Sequence, residues 1–585
     1  MKRRLLPMMM TLVLVCALPI WAAFVTSGDV TNPLVSTAWA DTAEGEGNSG
    51  TTQETFTEVD SETTLKNAVA EGKSVRMTQD ITLTSPLCIE KTVTLDLNGH
   101  VLTRKNTDRY DIVIIQSGAT LTLIDSNTGN LQHKFNAGEG GWTKAADDAT
   151  GEGIVTVTGG VIYGDAGRSI DTRGIKILDG KLEMYGGNIV GIGNGYTHAY
   201  GGGVYVSDKC TFNMYGGSIK GCYVFSDGGG VYVAAGGTFT MGGDSTIEGC
   251  NARSGGGVYN AGTFTMSGNS CIRNCIYRSG AGSGGVHSAG TFNLNGGSVV
   301  RSLSGYNDNK EGVGICNAGT LNATISVSCW VSNYSIISEG TFTGNFSNDS
   351  GGTISGGEFQ GEVENCATIN GGKFSVGKVR NAGGNIINGT FDVPVTNDGG
   401  WIKGGTFYDT VTNDRSIIEG GEFHSTVNNT GEIRGGTFNE NVTNKTNATL
   451  NGGIFYGGVT NDGGRINDGA YETVTFNSDG GTPVEEAKVL RGQKVAKPTD
   501  DPTKSGYTFI GWEDADGAYD FSKPVIAQLA LTAKWEKKPS SGYYYTPPAE
   551  PPVSSPKTAD PGAALYGALA LLSLTGMVAL NGKKR

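Results

Sequence analysis

From residue 342 onward, apolar side chains return at a fixed interval. Phe342, Phe359, Phe374, Phe391, Phe407, Phe423, Phe438, Phe455 and Tyr471 are spaced 15–17 residues apart. Three more rows run in phase with them: Val363 to Val459, Ile354 to Ile466 (with Leu450), and Asn348 to Asn461. The shared unit reads Ile-x-Gly-Gly-Thr-Phe-x-x-x-Val-x-Asn, and locked rows of this kind mark one unit stacked on itself. Thr, Phe, Val and Ile favour strands, and no i, i+3, i+4 pattern intervenes. Sixteen residues accommodate short strands and tight corners, with Gly and Asn at the corners because they tolerate positive φ. Each unit is therefore expected to be one coil of a parallel β-helix rising about 4.8 Å, the spacing of paired strands. Phe, Val and Ile point inward, and the Asn row forms an amide ladder at one corner.

The period widens upstream. Gly-Gly-Gly-Val-Tyr recurs at Gly201–Tyr205, Gly228–Tyr232 and Gly255–Tyr259, and Val204, Val231, Val258 and Val286 lie 27–28 residues apart. Phe212, Phe239, Phe264 and Phe292 keep the same beat. So do Ile219-Lys-Gly-Cys222, Ile247-Glu-Gly-Cys250 and Ile272-Arg-Asn-Cys275. Wide coils to about residue 330 and 16-residue coils over about 340–470 make one solenoid across 56–470. Its start reads as a capped helix from Ser61 to Glu71, ending at Gly72 and plugging the first coil, followed by strands at 74–77, 80–84 and 92–97.

These Gly-rich coils, with Asp80-Ile-Thr-Leu and Thr92-Val-Thr-Leu-Asp-Leu-Asn-Gly-His, resemble the right-handed, pectin-lyase-like parallel β-helices of bacterial surface proteins. The resemblance implies the fold and leaves the activity open, since that fold hosts lyases, hydrolases and adhesins. A second module spans 473–537, with Gly506-Tyr507-Thr-Phe509-Ile-Gly511-Trp512 and the closing Ala533-Lys534-Trp535. It resembles the Listeria–Bacteroides repeat of internalin B-repeat type, which implies a small β-grasp-like fold. Trp512 and Trp535 are expected to form the core of so small a domain.

Both ends carry an address. Residues 1–40 read as a signal peptide: basic Met1-Lys-Arg-Arg4, an apolar run Leu12–Phe24, and Ala38-Trp39-Ala40 before Asp41, with a second cleavage candidate near Ala23 and a retained membrane helix as the rival. Residues 41–55 read as a linker and 538–555 as a Pro/Ser/Tyr-rich extended spacer. Residues 563–580 are long and apolar enough to span a bilayer, and Lys583-Lys584-Arg585 follows. Pro556, Lys557, Thr558 and Ala559 precede that span. This 556–585 arrangement resembles the sorting signal of Gram-positive wall proteins, which implies sortase cleavage after Thr558 and linkage to peptidoglycan. Ser555 and Ala559 depart from the usual Leu and Gly, so anchoring by the span alone stays open.

The chain carries a net charge of −13, and −15 without residues 1–40, which argues against nucleic acid and anionic lipid as partners. Nine cysteines remain beyond Cys16; Cys222, Cys250 and Cys275 recur once per coil as an inward ladder, reduced or bridged between neighbours. Cys271 and Cys275 have no His beside them, and no metal or cofactor is expected. A glycan-cleaving β-helix needs acids and a basic residue converging on neighbouring coils. The positions after each Phe, Gln360 to Tyr456, show no charged row, and Asn106–Asp108, Asp147-Asp148 and Arg173–Lys176 read as chance matches to polygalacturonase signatures. The long segment 105–153, with Lys134, Trp142 and Lys144, is the first place to seek a carbohydrate site. Tyr205, Tyr232 and Tyr259 flank inward valines and are expected to face out as a binding row. The chain thus reads as a non-enzymatic, wall-anchored adhesin for an extracellular glycan or protein, with a surface polysaccharide lyase or glycoside hydrolase as the alternative.

Overall fold

The computed structural model describes residues 55–539, apart from 106–110, 128, 130, 139, 165–171, 195–199, 279–281, 301 and 305–310. Residues 1–54 and 540–585, on which the expected signal peptide, sorting signal and 563–580 span fall together with nearly all of both expected linkers, lie outside the described residues. Among the described residues, no helix is long and apolar enough to cross a membrane.

The described residues are all-β, with long parallel sheets, a plugging α-helix near the start and a small terminal module. The helix Glu62–Glu71 begins at Ser61, whose hydroxyl accepts from the Thr64 N–H while the Thr64 hydroxyl accepts from the Ser61 N–H, and ends at Gly72 with φ +83°. Leu65, Ala68 and Val69 turn into the mouth of the first coil and are buried. The strands behind it are Val75–Met77, Ile81–Leu83 and Val93–Asp96.

Three sheets run the length of the wide coils, each in register from coil to coil. On the first, Leu182, Phe212, Phe239, Phe264, Phe292 and Leu321 lie in one column. On the second the column is Ile189, Ile219, Ile247, Ile272 and Val299. On the third, Val204, Val231, Val258, Val286, Ile315 and Val331 lead into Phe346 and Val363. All of these point inward and are almost fully buried.

The two Phe rows, alike in sequence, are different columns. Thr320 pairs with Ile336 and Ile337 with Ile354, so the upstream Phe column continues as the downstream Ile column. The downstream Phe column starts afresh from Val327. Narrow coils thus omit the second sheet, and the first sheet folds into two short strands per turn. The eight rings from Phe342 to Phe455 stack with centroids 4.6–5.1 Å apart and planes within 14°. Tyr471 does not extend this row: it opens the strand Tyr471–Asn477, antiparallel to Ala487–Leu490, and belongs to the terminal module. The Gly-Gly corner has a steric cause, since a Cβ on Gly404 would fall 2.3 Å from the Ile387 carbonyl oxygen and Gly405 holds φ +102°.

The Asn row lies on the inner side of its corner and extends two coils further upstream than the sequence pattern, to Asn317 and Asn333. Each Nδ2 donates to the next Oδ1 at 2.6–2.9 Å, from Asn317 through to Asn461. Most also donate to a backbone carbonyl across the corner, as Asn413 does to Ser416 at 3.0 Å. Asn317 to Asn444 are fully buried, which is tolerable because from Asn333 onward each amide both accepts and donates along the ladder, while Asn317 at its head is paired through Nδ2 alone.

The module is a five-stranded mixed sheet in which Val474–Asn477 runs parallel to Leu529–Thr532. Trp512 and Leu531 sit in its core, and the half-buried Trp535 donates its indole N–H to the Ser478 carbonyl. No helix lies across the sheet among the described residues, so the β-grasp expectation holds for the strands alone. The module also closes the solenoid. The Phe455 N–H donates to the Arg491 carbonyl at 2.8 Å, Gln493 donates to the Phe455 carbonyl, and Tyr471 and Leu490 pack on the last coils' core. Helix and module together cover both open edges.

Candidate functional site

The outer face of the third sheet carries one position per coil that alternation turns away from the core. In chain order this column reads Lys176, Tyr205, Tyr232, Tyr259, His287, Cys316, Ser332, Ser347, Glu364 and Arg380. The three sequence-predicted tyrosines therefore stand in one line. Tyr205, Tyr232 and Tyr259 stack at 5.3 and 5.2 Å with planes 4° and 2° apart, and Tyr259 stacks on His287 at 4.9 Å. Arg173 lies over the Tyr205 ring at 5.3 Å. Tyr200 leans onto Tyr232 at 4.8 Å.

This geometry changes what the row offers. The ring faces are used up against one another and against Arg173 and His287, so the row presents phenol edges about one coil apart. A sugar ring finds no free aromatic face here, while a hydroxyl-rich or extended chain finds regularly spaced donors and acceptors. All three rings are half-buried. Desolvation, helped by the neighbouring phenols and Asp227, pushes the Tyr232 hydroxyl up to about 12. Burial and Asp227 raise Tyr259 as well.

Charged groups bracket the row. At its start the Arg173 backbone N–H and Nη1 donate to Asp111 Oδ1 at 2.9 and 3.3 Å, and Lys176 Nζ lies 3.9 Å from Asp111. Beside its middle, Arg253 Nη2 grips Asp227 at 3.0 Å; the Asp227 carboxylate is 8% exposed and the Arg253 side chain 56%. The next column member, His287, has a buried Nδ1 with no hydrogen-bond partner. Its burial lowers its pKa, with Asp227 opposing, so it stays neutral at pH 7. The sequence reading found the tyrosines and missed these ion pairs. Asp227 and Arg253 sit at corner positions before Gly228 and Gly255, where the wide-coil alignment offers no repeating polar letter.

A second polar group lies on the second sheet: Lys220, Glu248 and Arg273, each following an inward Ile. Glu248 lies 3.6 Å from Lys220 and 3.1 Å from Arg273. Burial works against its charge, but the two cations outweigh it and hold its pKa below the usual range. The aligned motifs Ile-Lys-Gly-Cys, Ile-Glu-Gly-Cys and Ile-Arg-Asn-Cys already spell this column. Segment 105–153 is an insertion only in part: Val113–Ile115 and Ala119–Ile124 are strands of the solenoid, and the flap is the antiparallel sheet of Gln132–Asn136, Thr143–Lys144 and Ile154–Thr158, which runs past the expected end. Trp142 is buried beneath it with Phe135 and Tyr163. Asp147 pairs with Lys144 and Arg173 with Asp111, so neither joins a polygalacturonase-like cluster; Asn106–Asp108 lie outside the described residues.

Cys222, Cys250 and Cys275 are fully buried and unbridged. Among the described residues, no His, Cys, Asp or Glu group is arranged to hold a metal ion. Pro556, Lys557, Thr558 and Ala559 lie outside the described residues.

Residues 473–534 match the family model of the Listeria–Bacteroides repeat domain. Two Evansella cellulosilytica proteins, whose names include the words membrane protein and Gly-rich membrane protein, are each 37% identical to this chain over 68 residues. That stretch is 11% of this chain and spans 10% and 8% of the two relatives. No solved structure matches.

Proposed function

We propose that this protein is a cell-surface adhesin: a stiff β-helix held to the cell envelope at its C-terminus, presenting one outer face to an extracellular glycan or protein. The observation that carries the reading is the Tyr205–Tyr232–Tyr259 column, a fixed line of phenol edges with the Asp111–Arg173 ion pair at its start and the Asp227–Arg253 pair beside its middle, on an otherwise regular rod. The repeat module at 473–534 and the membrane wording in the relatives' names support an envelope location. Tethering is assigned to sortase acting at Thr558 within Pro556, Lys557, Thr558 and Ala559, with peptidoglycan as acceptor and the 563–580 span as the membrane stop before cleavage. The uniform coils suit the right-handed, pectin-lyase-like type of helix. In whole cells, Thr558→Ala is expected to move the protein from the muramidase-released wall fraction to the membrane fraction; unchanged wall linkage overturns the sortase assignment.

A second reading, a surface polysaccharide lyase or glycoside hydrolase, is favoured by the convergence of Asp227, Arg253 and neutral His287 beside the phenols. It requires turnover that Asp227→Asn abolishes. The adhesin reading requires retention of the ligand without turnover.

A further inference from the structure

The flap and the second sheet meet in a cleft that the adhesin reading leaves unused. Corner residues Gly191, Gly221 and Gly249 hold φ of +62°, +58° and +64° on successive coils, and Asn274, at φ +52°, is the fourth in line. Trp142 lies along the three glycines. A Cβ on Gly221 would fall 2.0 Å from the indole Cγ, and one on Gly249 3.1 Å from Cζ2. The Trp142 backbone N–H donates to the Gly221 carbonyl at 2.8 Å, fixing the residue over the track. The track is thus shaped to seat the indole, and the cover ends where Asn274 replaces glycine.

There a cavity of about 590 Å³ opens between flap and solenoid. Trp142, Val155 and Ile276 give it apolar walls, while Lys220, Glu248 and Asn274 give it polar ones. The volume falls within the range of small-ligand pockets, about 300–1,000 Å³. Lys220 and Glu248 are only 21% and 19% exposed, so charges here are more strongly felt than on an open surface. With Arg273 on the far side of Glu248, the group carries two positive charges against one negative.

We propose that this cleft binds a carboxylated sugar, a hexuronate residue of an extracellular glycan. The surplus cation takes the carboxylate through Lys220. Glu248 and Asn274 hydrogen-bond ring hydroxyls, and the apolar walls cover the C–H face of the ring. An acidic peptide fits less well, because Glu248 repels a second carboxylate and nothing in the cavity extends the positive charge along a chain.

The test uses the secreted ectodomain, residues 41–555, with glucuronosyl-β-1,4-glucose as probe, cellobiose as its neutral counterpart and a Glu-Asp-Glu peptide as competitor. The acidic disaccharide is expected to shift the Trp142 indole resonance and to bind at least tenfold more tightly than cellobiose. Lys220→Met is expected to cost at least tenfold in affinity, and Glu248→Gln severalfold. Tyr408→Phe, at an exposed position in the narrow coils, leaves this binding unchanged; the indole readout reports on the cleft alone, so its failure says nothing against the tyrosine row. An unshifted indole resonance, equal binding of cellobiose, or tighter binding of the peptide overturns the proposal. The indole shift is read on the unsubstituted protein, so the test stands even if a variant misfolds.

Discussion

Asn413 is the sharpest place to test the amide ladder. Its Oδ1 accepts from Asn397 at 2.8 Å, and its Nδ2 donates to Asn429 at 2.8 Å, Ser416 O at 3.0 Å and Glu432 O at 3.3 Å. Asn413→Ala removes all four contacts from a fully buried position. Asn397 keeps the Ile417 carbonyl at 3.3 Å, and Asn429 Oδ1 keeps the Gly431 N–H at 3.2 Å, so neither is wholly orphaned. With a lost buried partner costing about 1–3 kcal/mol, the variant should lose about 2–4 kcal/mol. Asn413→Asp is nearly isosteric but sets a carboxylate oxygen against Asn429 Oδ1, and an uncompensated buried charge raises the cost to about 3–5 kcal/mol. Burial raises the introduced carboxyl's folded-state pKa above its unfolded value near 3.9. Relative to the parent, the Asp variant therefore loses least below pH 4, where the protonated acid can donate, and loses more as pH rises through the folded value. Urea unfolding between pH 4 and 8, with hydrogen exchange on residues 395–445 to localise the loss, reads both effects. An Asp variant as stable as the parent at pH 7, or one insensitive to pH, would falsify the ladder account.

Further outcomes follow from other parts of the molecule. Leu490→Asp, which places a charge on the last coils' core, should cost about 1–3 kcal/mol and let solenoid ends associate; light scattering that shows an unchanged monomer refutes the capping role. Gly221→Ala should unseat Trp142, seen as faster exchange in residues 132–158, and unchanged protection argues against the glycine track. Absorbance at 295 nm, compared with Tyr232→Phe, should show the Tyr232 phenol ionising only near pH 12. Because its folded pKa is raised, this group's contribution is intact below pH 10 and is lost as pH rises from about 10 towards 12. A phenol titrating near 10 means that the row is fully solvated.

The solenoid was legible because a stacked fold repeats its inward letters. Phe342 to Phe455, the valines and the asparagines each occupy one environment copied coil after coil. Tyr471 was misassigned because it stands one period past Phe455, and only tertiary pairing with Leu490 separates it from the row. The switch of columns at Leu321 was hidden for a related reason: Phe292 and Phe342 look alike, and register is decided by which strands pair. The outward tyrosines followed from alternation, but their stacking did not, since the choice between presenting faces and stacking them depends on rotamers set by the neighbouring coils. Lys220, Glu248 and Arg273 were present in the aligned motifs yet carry unlike letters, so a search for like residues passes over them. Asp227 and Arg253 lie in corners of unequal length, where spacing gives no guide.

The most direct test of the proposed surface binding is a glycan array probed with residues 41–555, scored at once for retention and for released sugar ends. The account predicts retention of one glycan class that falls at least tenfold in a Tyr205→Phe, Tyr232→Phe, Tyr259→Phe triple variant, with no released ends. Release of reducing or unsaturated ends, abolished by Asp227→Asn, would contradict it and make the protein an enzyme.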